Sequence, residues 1–312
     1  MKLTNHSVLI KYCFFILFVF SGTFIKAQNH ELRFSNIDIL HYRFEISLND
    51  STNYIEGKAM ISARLKKQTD SFHLDFDVNM APDKAGMEII ELLLNGEEYN
   101  FSAGETRIIL KIPPDTEPGD KLEFTISYRG IPKDGLIISK NKFGERTFFA
   151  DNWPNRARFW LPVVDHPSDK ATCEFLVKAP LHYLVVSNGI KAEESMISPN
   201  YKLTHWKETV PIPTKVMVIG VARFSVNYNE SNSQVPVSTW VFRQNRDEGF
   251  KDYSAANGPL KFYSEKIGPY AYEKLANVQS KTRFGGMENA GCIFYNERTV
   301  NGKGENQRLF AH

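Results

Sequence analysis

The feature that most constrains the fold is an alternation of apolar and polar residues. It runs, with interruptions, from about residue 33 to about residue 230. "HYRFEISL" sets Tyr42, Phe44, Ile46 and Leu48 on one side, and "KAMISARL" does the same with Ala59, Ile61, Ala63 and Leu65. "FHLDFDV" contributes Phe72, Leu74, Phe76 and Val78, and "KLEFTISY" contributes Leu122, Phe124, Ile126 and Tyr128. Successive side chains of a strand leave opposite faces, so a period of two marks strands with one buried face. "CEFLVKA", "YLVVS" and "KVMVIGVARFSV" read as further strands. Turn-forming clusters separate the runs: "LND", "NGEE", "IPPDTEPGD" and "SNG". The pattern predicts a large antiparallel β domain with one face of each strand buried.

After the polar stretch "NYNESNSQ" (Asn227–Gln234) the texture changes. "VPVSTWVF" reads as a strand. In "DEGFKDYSAANGPLKFYSEKIG", Phe250, Tyr253, Leu260, Tyr263 and Ile267 recur near a helical period, and Pro259 kinks or divides the helix. "KLANVQSKTRF" and "MENAGCIFY" read as strands, and "ENQRLFAH" opens another helix. The second region is therefore mixed α and β.

The N-terminus carries Lys2 and Lys11, an apolar run from Tyr12 to Phe20, and small and polar residues ending in "IKA". That is the grammar of a secretory signal peptide cleaved after Ala27. The run is too short to span a bilayer, which takes about 20 residues, so the membrane is expected to be met only during export. Cys13 lies inside the run rather than at its end, which argues against a lipid-anchored cysteine. The expected location is extracytoplasmic, periplasmic or secreted. Loss of Lys2, Lys11 and Lys26 takes the net charge from +2 to −1. Such a chain has no electrostatic footprint for nucleic acid. Cys173 and Cys292 remain, too few and too far apart for a disulfide framework.

One short stretch, "FGGMENAGCIFYNE" (Phe284–Glu297), stands out chemically. Taken as a strand from Gly285 to Gly291, it puts Gly286 and Glu288 on one face and Met287 and Asn289 on the other. A glycine beside a carboxylate leaves open space in front of it, and glycine in a strand often marks the close approach of a ligand or another backbone. An extended peptide can add to such an edge. Glu288 at its end suits a cationic group such as a free α-amine. The plainer reading is a turn followed by a solvated glutamate.

The literal string decides between them. Gly285, Met287, Glu288, Asn289 and Gly291 resemble the G-A-M-E-N exopeptidase motif of the M1 family of zinc aminopeptidases, with Gly286 in place of the alanine. The approach "GPYAYEKL" and the exit "GCIFYNE" resemble that family's flanking segments. Upstream, Ala157, Arg158, Pro162, Asp165, Pro167, Lys170 and Ala171 resemble a second family segment, in collinear order. The resemblance implies a saddle-like, mostly β N-terminal domain over 28–230. It implies the first part of an α+β thermolysin-like catalytic domain over 231–312. It also implies a zinc-dependent aminopeptidase acting on peptides with a free N-terminus. Glu288 would hold the substrate amine, and the backbone of Gly285–Asn289 would align the peptide. Many members carry a Gln or Glu five residues before the arginine of the second segment. Counting back from Arg158, that place is held by Trp153, with Asp151 nearby. Asp151 is therefore a candidate replacement contact, and Trp153 a candidate wall for the first side chain.

The family's H-E-x-x-H zinc motif follows the exopeptidase motif closely. "RLFAH" resembles its approach, which makes His312 the candidate first ligand of Zn²⁺. The other ligands and the general base are not in the chain. The expectation is a chain cut inside an element and inactive alone, derived from an active parent. Two other readings stand beside it. One is a non-catalytic β-sandwich binding module or decayed enzyme. The other is an M1 relative with epoxide-hydrolase activity.

Overall fold

A computed structural model describes residues 35–78, 85–229 and 235–312. The leader-like segment 1–27 lies outside them, as do residues 230–234 of the polar stretch. Among the described residues, twenty strands, numbered along the chain, fall into four sheets.

The largest sheet has eight strands. Their order is β13 (Ile190–Ser198), β14 (Tyr201–Ile212), β11 (Ala171–Pro180), β1 (Ile37–Ser47), β2 (Ile55–Leu65), β8 (Lys121–Ile131), β4 (Gly86–Leu94) and β5 (Glu97–Glu98). All neighbours are antiparallel except β1 and β11, which run parallel with Phe44 opposite Phe175. The alternation is realised almost residue by residue in β2 and β8, where every second side chain is buried. The apolar face thus packs inward while Lys, Glu, Arg and Ser meet solvent.

A three-stranded sheet of β3 (Ser71–Asp75), β7 (Arg107–Lys111) and β6 (Ser102–Gly104) lies against this face. The Phe72 ring meets Phe124 edge-on at 5.4 Å, and Phe76 meets Tyr128 at 5.1 Å. A four-stranded sheet has the order β12 (Leu184–Ser187), β15 (Ile219–Ala222), β10 (Arg146–Ala150) and β9 (Leu136–Lys140).

The fourth sheet is mixed, in the order β16 (Phe224–Asn229), β17 (Val237–Phe242), β18 (Leu275–Ser280), β20 (Cys292–Asn296) and β19 (Gly286–Asn289). Its three inner strands are parallel, and its two edges are antiparallel. Phe149 of β10 packs against Phe224, Phe242 and Phe294, which joins this sheet to the four-stranded one. Residues Ser35–His312 form one unit.

Three readings of the sequence are corrected here. "KVMVIGVARFSV" is not one strand: β15 and β16 lie in different sheets, with a break at Arg223. β15 is buried on both faces, so its apolar run is continuous and shows no boundary. β16 pairs with β17, so the polar stretch around residues 227–234 joins two strands of one sheet. The change of sheet comes earlier than residue 230. "MENAGCIFY" is a hairpin rather than one strand, because Gly291 adopts φ +62° and reverses the chain.

The helical region is divided as expected. α1 (Arg246–Tyr253) and α2 (Asn257–Lys266) are separated by a 3-10 turn at Ser254–Ala256. Pro259 lies in the first turn of α2, where a missing N–H is tolerated. α3 (Gln307–Ala311) docks through Phe310 on the rings of Tyr253 and Tyr295, at 5.3 Å and 4.9 Å.

Candidate functional site

The last four of the "GGMEN" residues, Gly286–Asn289, form β19, the edge strand of the mixed sheet. Among the described residues it pairs with β20 alone. Its faces match the sequence reading. Met287 and Asn289 are buried, Glu288 is exposed, and Gly286 lies between. Gly286 faces Tyr295 and Leu309: a Cβ there would sit 3.5 Å from Leu309 Cδ1 and from Tyr295 Cδ1. That is ordinary van der Waals contact, so the glycine keeps a shallow space open beside Glu288. The Glu288 side chain is 53% exposed, and its Oε1 lies 3.0 Å from Nδ1 of His312. The two residues that sequence reasoning tied to substrate and metal are therefore adjacent.

The N-terminal β region supplies the opposite side. Trp153 is 43% exposed, and its ring meets the exposed Phe284 edge-on at 5.4 Å, next to the double glycine. Beneath this pair runs a chain of charges. Arg283 donates to Asp134 at 2.9 Å, Arg156 approaches the same Asp134 oxygen at 3.4 Å, and Arg156 donates to Asp151 at 2.6 Å. Arg156 Nε also holds the Trp153 carbonyl at 2.7 Å.

The Peptidase M1 N-terminal domain family matches residues 39–216, more than half of the chain. The chain belongs to the M1 peptidase family. This M1 chain is 24% identical over 250 residues to Leucine aminopeptidase 2 of Yarrowia lipolytica, covering 75% of itself and 37% of that protein. It is 25% identical over 230 residues to Leucyl aminopeptidase of Saccharolobus solfataricus, covering 70% of itself and 28% of that protein. It spans about a third of the length of these relatives. Among solved structures it resembles a mutant M1 zinc metallopeptidase of Deinococcus radiodurans bound to a Tyr-Ser-Ala substrate. That match has TM-score 0.70 and 17% identity, over 88% of this chain and 63% of that one. It also resembles native yeast LTA4 hydrolase, with TM-score 0.75 and 19% identity, over 89% of this chain and 43% of that one. At these identities the structural likeness establishes the fold.

Zinc is the metal of the M1 structures that this chain resembles. A catalytic zinc takes three protein ligands. Among the described residues of the M1 chain, no three His, Cys, Asp or Glu side chains converge in a way that could hold a metal ion. His312 has Glu288 beside it but no third donor, so these residues alone do not fit the ion.

The expectation for Asp151 is also corrected. It is 1% exposed, and its Oδ1 is committed to Arg156. A carboxylate in that position neutralises the guanidinium; it is not presented to a ligand from solvent. Trp153, by contrast, is exposed where the sequence placed it.

Sequence reasoning passed over Phe284, Arg283 and Arg156, and also the residues that hold the hairpin turn of the M1 chain. Lys274 Nζ donates to the Gly291 carbonyl at 2.9 Å, and Asn188 Nδ2 donates to that of Ala290 at 2.8 Å. Lys274 is the lysine of the "GPYAYEKL" approach, but nothing in that string tells that its ammonium is buried against the turn.

The second family segment has a structural job. Arg158 pairs with Asp165 at 3.0 Å and lies 3.6 Å from Asp75, while Thr214 donates to Asp165 at 3.2 Å. Asp165 is buried, which raises its pKa, and the Arg158 contacts oppose that rise.

Proposed function

We propose that this chain is the substrate-clamping part of a zinc-dependent aminopeptidase that removes N-terminal residues from peptides. Glu288 receives the substrate α-ammonium, and the open edge of β19 aligns the peptide backbone as an added strand. Trp153 and Phe284 flank the first side chain. The observation that carries this reading is Glu288 itself. It is an exposed carboxylate on an open sheet edge beside a glycine, in a chain whose family match is to M1 peptidases. The names of the relatives, leucine and leucyl aminopeptidase, support the same class.

Hydrolysis needs a metal centre that these residues alone do not complete. The 312 residues are therefore expected to bind and orient peptides without cutting them. Residues 1–27, read as an export leader, support an extracytoplasmic, peptide-scavenging setting. That setting, and the aminopeptidase names of the relatives, favour peptide over epoxide chemistry.

Intrinsic fluorescence tests the clamp. Trp160, Trp206 and Trp240 are buried, so Trp153 is the exposed indole among the described residues. Titration with a free-amine tripeptide is expected to change its emission. N-acetylation of the peptide, or Glu288→Ala, is expected to weaken binding by about tenfold or more, the range for loss of a charged hydrogen bond. Equal affinity for the acetylated peptide rejects the amine-anchor role. Chelator-sensitive turnover of an aminoacyl-arylamide by the purified chain with Zn²⁺ rejects the claim that these residues only clamp.

A further inference from the structure

Lys274 is 8% exposed, at the entry to β18, and burial pulls its pKa down. Its Nζ donates to two carbonyls, Ser187 at 2.8 Å and Gly291 at 2.9 Å, and lies 5.1 Å from the Trp206 ring. The first carbonyl ends β12 of the N-terminal β region, and the second is in the turn of the β19–β20 hairpin. Asn188 bridges the same gap. Its Nδ2 donates to Ala290 O and to Val216 O at 2.9 Å, and its Oδ1 accepts from Val218 N at 2.7 Å. Both turn carbonyls are therefore gripped by buried side chains. Gly291 O also accepts from Ala276 N at 3.0 Å.

Packing alone does not call for this arrangement. An apolar side chain would fill the space without the desolvation of an ammonium, which is unfavourable unless it is well paired. The acidic groups placed to favour the ammonium are Cys292, Glu208 and Glu273. What the charge adds over an apolar residue is direction, because it ties one defined carbonyl of the hairpin to one defined carbonyl of the neighbouring region. The turn begins two residues after Glu288, so its placement sets where the carboxylate projects.

We propose that Lys274 and Asn188 are positioning residues for Glu288, fixing the Ala290–Gly291 turn to the Ser187–Asn188 strand end and so setting the lie of β19. This rests on reading Glu288 as the amine anchor. Hydrogen–deuterium exchange of the 312-residue chain tests the tie itself, in wild type, Lys274→Met and Asn188→Asp. The second variant keeps the acceptor for Val218 N and removes both donors, so it stands in if the first fails to fold.

Exchange across residues 286–293 is expected to quicken by about tenfold or more in either variant. The strands Ile37–Ser47 and Ile55–Leu65 should stay as protected as before. Affinity for the free-amine peptide Leu-Ser-Ala should fall by a similar factor, with affinity for its N-acetylated form unchanged. Exchange that is unaltered at 286–293, or raised equally everywhere, overturns the tie. Faster local exchange with undiminished free-amine affinity overturns the positioning role. A wild type that binds both peptides alike removes the anchor, and with it anything to position. The exchange comparison then still decides whether the two side chains hold the turn.

Discussion

Two glycines of the hairpin do opposite work, and substitution separates them. Gly286 has room: an added Cβ meets Leu309 and Tyr295 at 3.5 Å, with no left-handed backbone to maintain. Gly286→Ala is expected to leave the melting temperature unchanged or to raise stability by about 0.5 kcal/mol, through a less flexible unfolded chain. It narrows the space beside Glu288, so its effect belongs to peptide affinity. Gly291 sits at φ +62°, and a Cβ there would stand 3.0 Å from the Lys274 carbonyl oxygen. Gly291→Ala is expected to cost about 1–2 kcal/mol from the left-handed conformation alone. Thermal melts of the two variants should therefore diverge, and equal melts would refute this reading of the turn. The alternation of Gly286 with Glu288 was legible in the sequence, because side-chain direction in a strand follows from spacing. The turn at Gly291 was not, since a glycine inside an apolar run does not announce its φ.

At the scale of elements, the weakest piece is α3. Five residues cannot sustain a helix on their own. Its approach is organised by Asp252 of α1, which is fully buried. The Asp252 carboxylate accepts from the backbone amides of Asn301, Gly302 and Gly304, each at 2.8 Å. Asp252→Ala removes the acceptor of all three amides and is expected to cost about 1.5–3 kcal/mol, the scale for loss of hydrogen bonds to a charged group. Amide exchange at 301–304 should accelerate along with it, and an unchanged melting temperature would refute the assignment. Asp252→Asn keeps the shape and should lose less.

Strand existence was the most readable property at this scale, as β2 and β8 show, because one-sided burial imposes the period directly. Sheet membership was not readable. β15 and β16 adjoin in sequence yet serve different sheets, and nothing in "GVARFSV" distinguishes their partners. Asp151 illustrates the same limit at the site. Its charge was visible, but the guanidinium five residues on that consumes it depends on the fold of the loop.

For the whole molecule, buried carboxyls set how stability responds to pH. Asp169 accepts from Ile39 N at 3.3 Å across 130 residues of chain. Burial pushes its pKa up to about 7, helped by Asp38 and opposed by the Ile39 amide and Lys66. The folded value lies above the unfolded one, so the folded state holds a proton that the unfolded state has released. Stability from this group is complete below about pH 4 and is lost as pH rises through about 7. Asp169→Asn keeps the acceptor and removes the titration. The melting temperature of the variant relative to wild type should therefore climb between about pH 4 and pH 7, the window of the shift, and level off above it. A difference that does not vary with pH would place the proton elsewhere. Glu208, raised to about 7 chiefly by burial, should behave likewise.

The parallel seam between β1 and β11 has a consequence in time. A ribosome adding about 5–20 residues per second needs roughly six to twenty-six seconds to travel from one strand to the other. During that interval β1 can zip to β2 on one side only, and its other edge stays open to any passing strand. The centre of the largest sheet therefore stays open until β11 emerges, and only β14 and β13 are added after it. Birth order and spatial order run against each other in this protein, and a holding chaperone or a delay in folding has the whole of that interval in which to act.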